Sequence, residues 1–148
     1  MHPRTIFNDP RRLIRLIASL FVASLAALVL FGWTVGSSLL TRLHPDLPVM
    51  VPNTAACLLL MAGVLVLCGL ERPTLRCRIA TGTAGGLTFL VGSLTFAEYL
   101  FDAGLGIDGL LLHFAQSVVY ETNPGRMAPH TALAMMTAGP AIAFLCRK

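Results

Sequence analysis

The chain alternates between long apolar runs and short polar stretches. Four runs approach or exceed the roughly 20 residues that a helix needs to cross a hydrocarbon core of about 30 Å. They are Leu16 to Ser38, Pro52 to Leu70, Ile79 to Phe101 and Pro129 to Cys146. Read as helices, they predict an all-α integral membrane protein with four transmembrane helices. A phrase recurs where two of them begin: Met50-Val51-Pro52-Asn53-Thr54-Ala55 opens the second run and Met127-Ala128-Pro129-His130-Thr131-Ala132 the fourth. A repeated helix start predicts two copies of one unit, an outward helix with its returning partner, over about 13–70 and about 77–148. Both copies run in the same sense, so they are parallel helix-pair repeats within one domain spanning 1–148.

Shorter patterns refine this picture. In the second outer loop Asp108 is placed to cap a helix from Gly109 to Tyr120. Leu111, Phe114, Ala115 and Val118 share one face there, and His113, Gln116, Ser117 and Tyr120 the other. That is a short amphipathic helix suited to the outer interface. In the third run Gly82 and Gly86 stand four apart among small residues, a candidate helix-packing surface within the bundle or between two copies. Pro140 interrupts the fourth run, and a proline inside a helix predicts a kink.

Composition agrees with a membrane protein: 55% of residues are hydrophobic, 12% are charged, and the mean hydropathy is +0.75. The net charge of +4 points to orientation rather than nucleic acid. Arg4, Arg11, Arg12 and Arg15 precede the first run, Arg72, Arg76 and Arg78 lie between the second and third, and Arg147 and Lys148 follow the fourth. Only Arg42 and Arg126 fall in the outer loops. By the positive-inside rule both termini are expected in the cytoplasm. The uncharged run from Leu16 to Thr41 exceeds the roughly 7–15 residues of a signal-peptide core, so the first run is read as an anchor. Its basic start is suited to anionic lipid headgroups. Cys57, Cys68, Cys77 and Cys146 form no paired motif and none lies in an outer loop. They are read as small buried hydrophobes, with no disulfide framework and no metal site expected.

Several ordered motifs carry a resemblance. They are Phe31-Gly32-Trp33 with Leu39-Leu40, Pro48 and Met50 with Pro52-Asn53-Thr54-Ala55, Leu94-Thr95, Glu98-Tyr99-Leu100-Phe101 and Leu105-Gly106-Ile107-Asp108. Pro124-Gly125-Arg126-Met127-Ala128-Pro129 with Thr131-Ala132 completes the series. In order and spacing, over roughly residues 30–146, the chain resembles the four-helix N-terminal membrane module of bacterial sensor histidine kinases and diguanylate cyclases. It departs from that pattern at His130, where the family usually carries Asn, and at Pro140, where its fourth helix is usually unkinked. The resemblance implies a sensory input module that forms a homodimer and passes a stimulus through its fourth helix to a cytoplasmic output domain. In the family that domain follows the fourth helix. This chain ends at Lys148, so the expectation is a fragment or a relative acting through a partner protein.

The residues offer few chemical groups at membrane depth. Glu98, ending the third run, needs a partner there, and Arg126 and His130 are the candidates. It reads either as a ligand- or proton-sensing group or as a carboxylate tying the long loop to the bundle. His130 is open to the same two readings, sensor or helix-start hydrogen bonding. No span supplies a second histidine at its depth, so haem is not expected. Asn53-Thr54 and His130-Thr131 mark two helix N-termini, where free N–H groups favour anions or carbonyls, or simply start the helices. If a ligand binds, the expected cleft lies between these ends, floored by Trp33 and roofed by the Asp108 helix. Trp33 and Tyr99 also suit an aromatic ring or an ordinary interfacial belt. No nucleophile stands beside a histidine and an acid in a convincing order, and there is no phosphate loop or metal motif, so no catalytic residue and no cofactor is expected. The rival reading is a small membrane binding protein or assembly subunit holding a quinone or another lipophilic ligand.

Overall fold

Proline opens three of the helices, at positions where its missing N–H costs nothing and its fixed φ already suits the turn. In the computed structural model, residues 10–42, 48–70, 74–106 and 126–145 are described, and every element among them is helical. The order is α1 (Pro10–Val35), α2 (Ser38–Arg42), α3 (Pro52–Leu70), α4 (Leu75–Phe101) and α5 (Pro129–Leu145). The expected helix from Gly109 to Tyr120 lies outside the described residues, as do Cys146 and the basic residues after it.

Two helices, α1 and α4, are long and apolar enough to cross a membrane. α3 and α5 are shorter apolar helices that begin at Pro52 and Pro129, as the repeated phrase predicts. The first helix departs from expectation at both ends. It starts earlier, at Pro10, and stops at Val35, because Gly36 takes a left-handed φ of 72° and turns the chain. The short α2 then folds back so tightly that a Cβ on Gly32 would stand 2.6 Å from that of Leu40. α4 begins with Thr74, whose hydroxyl accepts a 3.4 Å hydrogen bond from the Cys77 N–H. α5 continues helical through Pro140.

The helices pack as two pairs. α1 lies along α3 and α4 lies along α5, and the pairs meet where α3 runs beside α4, with lighter contact between α3 and α5. The α4–α5 contact is built from backbone. A Cβ on Gly139 would fall 2.6 Å from the Gly85 carbonyl oxygen and 2.8 Å from the Phe89 nitrogen. One on Gly92 would fall 2.8 Å from the Ala132 oxygen. Only glycine permits such an approach, the means by which membrane helices associate without a hydrophobic drive. These are not the expected glycines: Gly82 and Gly86 are exposed, with nothing near enough for a Cβ to touch. The buried face of α4 runs through Cys77, Thr81, Gly85, Thr88, Gly92, Thr95 and Glu98 at spacings of three and four. Gly86 is one residue, about a quarter turn, off that line.

A second correction concerns cysteine. Cys68, near the end of α3, and Cys77, in the first turn of α4, form a disulfide with their Cα atoms 5.9 Å apart. Their sequence separation of nine matches no short motif, but the packing of α3 beside α4 brings the end of one near the start of the other.

Burial along these helices runs against the pattern of a water-soluble bundle. The inner face of α4 is threonine, glycine and a carboxylate, while Ile79, Leu87, Phe89, Leu90, Leu100 and Phe101 face outward. α1 likewise turns Ile14, Ile17, Phe21, Leu28, Phe31 and Val35 to the outside.

Candidate functional site

The end of α4 is where a charged group is most deeply enclosed. Glu98 is fully buried. Three residues later the helix stops, and Asp102 takes a left-handed conformation, φ 47° and ψ 36°, that reverses the chain. The following residues return over the helix end, so that the Leu105 N–H donates a 2.7 Å hydrogen bond to Glu98 Oε1. The other carboxylate oxygen, Oε2, stands 3.7 Å from Nε of Arg126, which approaches from the segment leading into α5. The Arg126 guanidinium also lies over the Tyr99 ring, 5.3 Å from its centroid. Tyr99 in turn donates its hydroxyl proton to the Met127 carbonyl at 2.9 Å.

Glu98, Tyr99 and Arg126 therefore tie three chain segments together: the last turn of α4, the loop returning over it, and the start of α5. A carboxylate withdrawn from water is costly unless it is both paired and hydrogen-bonded, and this one is both. The arrangement is a latch. Its strength depends on the charge of Glu98 and on what else competes for the Arg126 guanidinium.

The first helix pair is closed by a matching contact without the charges. Trp33 Nε1 donates a 2.8 Å hydrogen bond to the Met50 carbonyl, and the Met50 N–H donates to the Thr41 carbonyl at 3.0 Å. Trp33 is itself buried and packs with Val29 and Ala55. Met50 and Met127 hold the same place in the repeated phrase, and each carbonyl accepts from an aromatic donor on the preceding long helix, α1 or α4. The next backbone contacts match as well: Ala55 N–H to the Val51 oxygen at 3.2 Å, and Ala132 N–H to the Ala128 oxygen at 3.0 Å. Aligning Trp33 with Tyr99 brings buried positions of α1 and α4 into register at one constant offset. The pairs are Ser19 with Gly85, Ala26 with Gly92, Val29 with Thr95 and Gly32 with Glu98.

The remaining sequence-selected residues separate. Asn53 is buried and lines a recess of about 170 Å³ with Cys57, Leu60, Leu87 and Val91 in the seam between α3 and α4. His130, its counterpart in the second phrase, is exposed, while Thr54 and Thr131 are half-buried. Arg126, not His130, is the ionic partner of Glu98. The roof expected from the Asp108 helix lies outside the described residues.

Sequence reading missed the Leu105 N–H, because a backbone donor carries no side-chain signature. It also missed Gly85, Gly92 and Gly139. A signal for the first two was present: Thr81, Thr88 and Thr95 recur every seventh residue, with Gly85 and Gly92 interleaved at the same period. No protein-family model, curated protein or solved structure matches the chain.

Proposed function

We propose that the chain is a membrane-embedded sensory input module of a bacterial signal-transduction protein, of histidine kinase or diguanylate cyclase type. On this reading it spans the inner membrane four times as two parallel helix-pair repeats, with both termini cytoplasmic. The output domain lies outside this chain, and the module is a homodimer. The inside-out burial of α1 and α4 supports the membrane assignment, since apolar surface of this extent is stable when lipid covers it. The matched aromatic-to-methionine contacts and the shared buried register of α1 and α4 support the repeat.

The observation that carries the sensory reading is the Glu98 latch at the outer end of the closely packed α4–α5 pair. A stimulus that opens the latch changes the constraint on the start of α5, and α5 is the helix that leads to the cytoplasm. Two packings within a few kcal/mol of one another, biased by the latch, suffice for signalling. The test joins the chain to a diguanylate cyclase domain through linkers stepped one residue at a time across a heptad. Glu98→Gln and Arg126→Gln should each change cyclase output by about fivefold or more in at least one linker phase, at equal membrane abundance. Outputs identical to wild type in every phase would overturn the reading.

A second reading, a small membrane protein holding a quinone or another lipophilic ligand, is favoured by an apolar groove of about 300 Å³ between α1, α3 and α5. Mass spectrometry of the chain purified in mild detergent tests it, a stoichiometric quinone being the expected result on that reading.

A further inference from the structure

The groove lies in the seam between the two helix pairs. Its walls include Ser19 and Val22 of α1, Leu58, Met61 and Leu65 of α3, and Ile142 of α5. Ser19 lies in the first half of α1, whereas Leu65 and Ile142 lie in the second halves of α3 and α5. The hollow therefore sits nearer the end of the bundle at which α1 starts. At that end the helix face changes character. Arg12, Arg15, Ser19 and Val22 follow one another at spacings of three and four, which puts all four on a single face of α1. Arg12 is half-buried and Arg15 exposed. Helical side chains lean toward the N-terminus, so both guanidiniums are carried toward the membrane surface below the groove.

An apolar slot leading to two cations matches one kind of molecule. A transmembrane helix, about 10–12 Å across with its side chains, is too wide for a hollow of this volume. A single hydrocarbon chain is not, and the cations at the mouth select a negatively charged head. We infer that the groove seats one acyl chain of an anionic phospholipid from the inner leaflet, with Arg12 and Arg15 holding its phosphate. This rests on the membrane reading above, with the start of α1 on the cytoplasmic side. Each guanidinium presents five N–H donors, so Arg12 can hold a phosphate oxygen alongside its contacts within the chain. Seated there, the chain touches α1, α3 and α5 at once and bridges two helix pairs that otherwise meet mainly through α3 and α4.

The experiment is native mass spectrometry of the full chain in mild detergent, titrated with phosphatidylglycerol and phosphatidylcholine carrying identical acyl chains. Phosphatidylglycerol should bind about tenfold or more tightly than phosphatidylcholine. The Arg12→Gln/Arg15→Gln variant should lose on the order of fivefold per arginine for the anionic lipid and become indifferent to headgroup. Ala18→Phe fills the groove from an exposed position that also lines it, and should weaken both lipids while leaving thermal stability unchanged. Arg76→Gln/Arg78→Gln, which removes exposed charge at the start of α4, should change nothing. Equal binding of the two lipids overturns the inference, as does an unaffected Ala18→Phe. So does a loss in the Arg76/Arg78 variant as large as that in the Arg12/Arg15 variant. Alkaline carbonate extraction separates the two levels: a chain released into the soluble fraction overturns the membrane reading as well, whereas an inserted chain without headgroup preference overturns the lipid site alone.

Discussion

The two helix pairs close one end in the same way and pack their interiors differently. In both, an aromatic side chain of the pair's long first helix, α1 or α4, donates to the methionine carbonyl just before the second, α3 or α5. The α1–α3 pair buries Leu16, Ala26, Val29 and Trp33 from α1, so its contact is made of side chains. The α4–α5 pair has Gly85 where the first has Ser19 and Gly92 where it has Ala26, and it brings backbone against backbone at Gly85, Gly92 and Gly139. It also encloses Glu98 where the first pair has Gly32. A side-chain interface can repack by changing rotamers; a backbone interface has no such freedom and moves as a body. The second pair is thus the one suited to carrying a displacement along its length, and it is the one that holds the charge.

The largest effect should come from removing that backbone contact. Gly85→Leu or Gly139→Leu forces a side chain into space held by main-chain atoms that cannot rotate away. The expected cost is about 3 kcal/mol or more, read as loss of the folded fraction in detergent thermal unfolding. The same enlargement on the first pair, Ala26→Leu, should cost less, about 1–2 kcal/mol, because side chains there can shift. Equal losses in the two pairs would erase the contrast. Glu98→Leu ranks next. It strands the Leu105 N–H and leaves Arg126 without its carboxylate, at an expected cost of about 3 kcal/mol. Glu98→Gln keeps an acceptor for the Leu105 N–H and should cost about 1 kcal/mol.

The shared closure predicts a smaller, matched pair of effects. Trp33→Phe and Tyr99→Phe each remove the donor to a methionine carbonyl. Tyr99→Phe should cost about 1 kcal/mol, and Trp33→Phe somewhat more, because a buried indole is also lost. Thermal unfolding in detergent would measure both. A Tyr99→Phe protein as stable as wild type would show that the second pair is closed by its charges alone.

Much of this arrangement is legible in the sequence because long apolar helices and proline starts leave long signals. Pro52 and Pro129 set two helix starts, and the repeated phrase around them marks the two methionine carbonyls that later prove to be acceptors. Glu98 and Arg126 stand out because charge in or beside long apolar runs is rare in this sequence. The inner arrangement is less legible. Gly82 and Gly86 fit the small-residue spacing as well as Gly85 does, and the choice between them depends on helix phase. That phase was available in the threonine heptad, which a search confined to glycine spacing passes over. The Cys68–Cys77 bond and the return of Leu105 onto Glu98 depend on chain reversals at a turn and at a left-handed aspartate, where no periodicity exists to read.

The smallest effect on the folded chain is expected at Gly82 and Gly86, and it tests the comparison from outside. Both are exposed, with open space where a Cβ would stand. Gly82→Ile/Gly86→Ile should therefore alter the thermal stability of the monomer by no more than about 0.5 kcal/mol. If two copies associate through α4, these glycines are where their backbones approach, and isoleucine there should abolish crosslinking between copies in membranes. Unchanged crosslinking would move the dimer surface to the outward face of α1, where Ile14, Phe21, Leu28 and Phe31 are exposed. A large loss of monomer stability would instead mean that the buried face of α4 is rotated toward Gly86. The backbone contact assigned to Gly85 and Gly139 would then be misplaced, and with it the distinction between the two pairs.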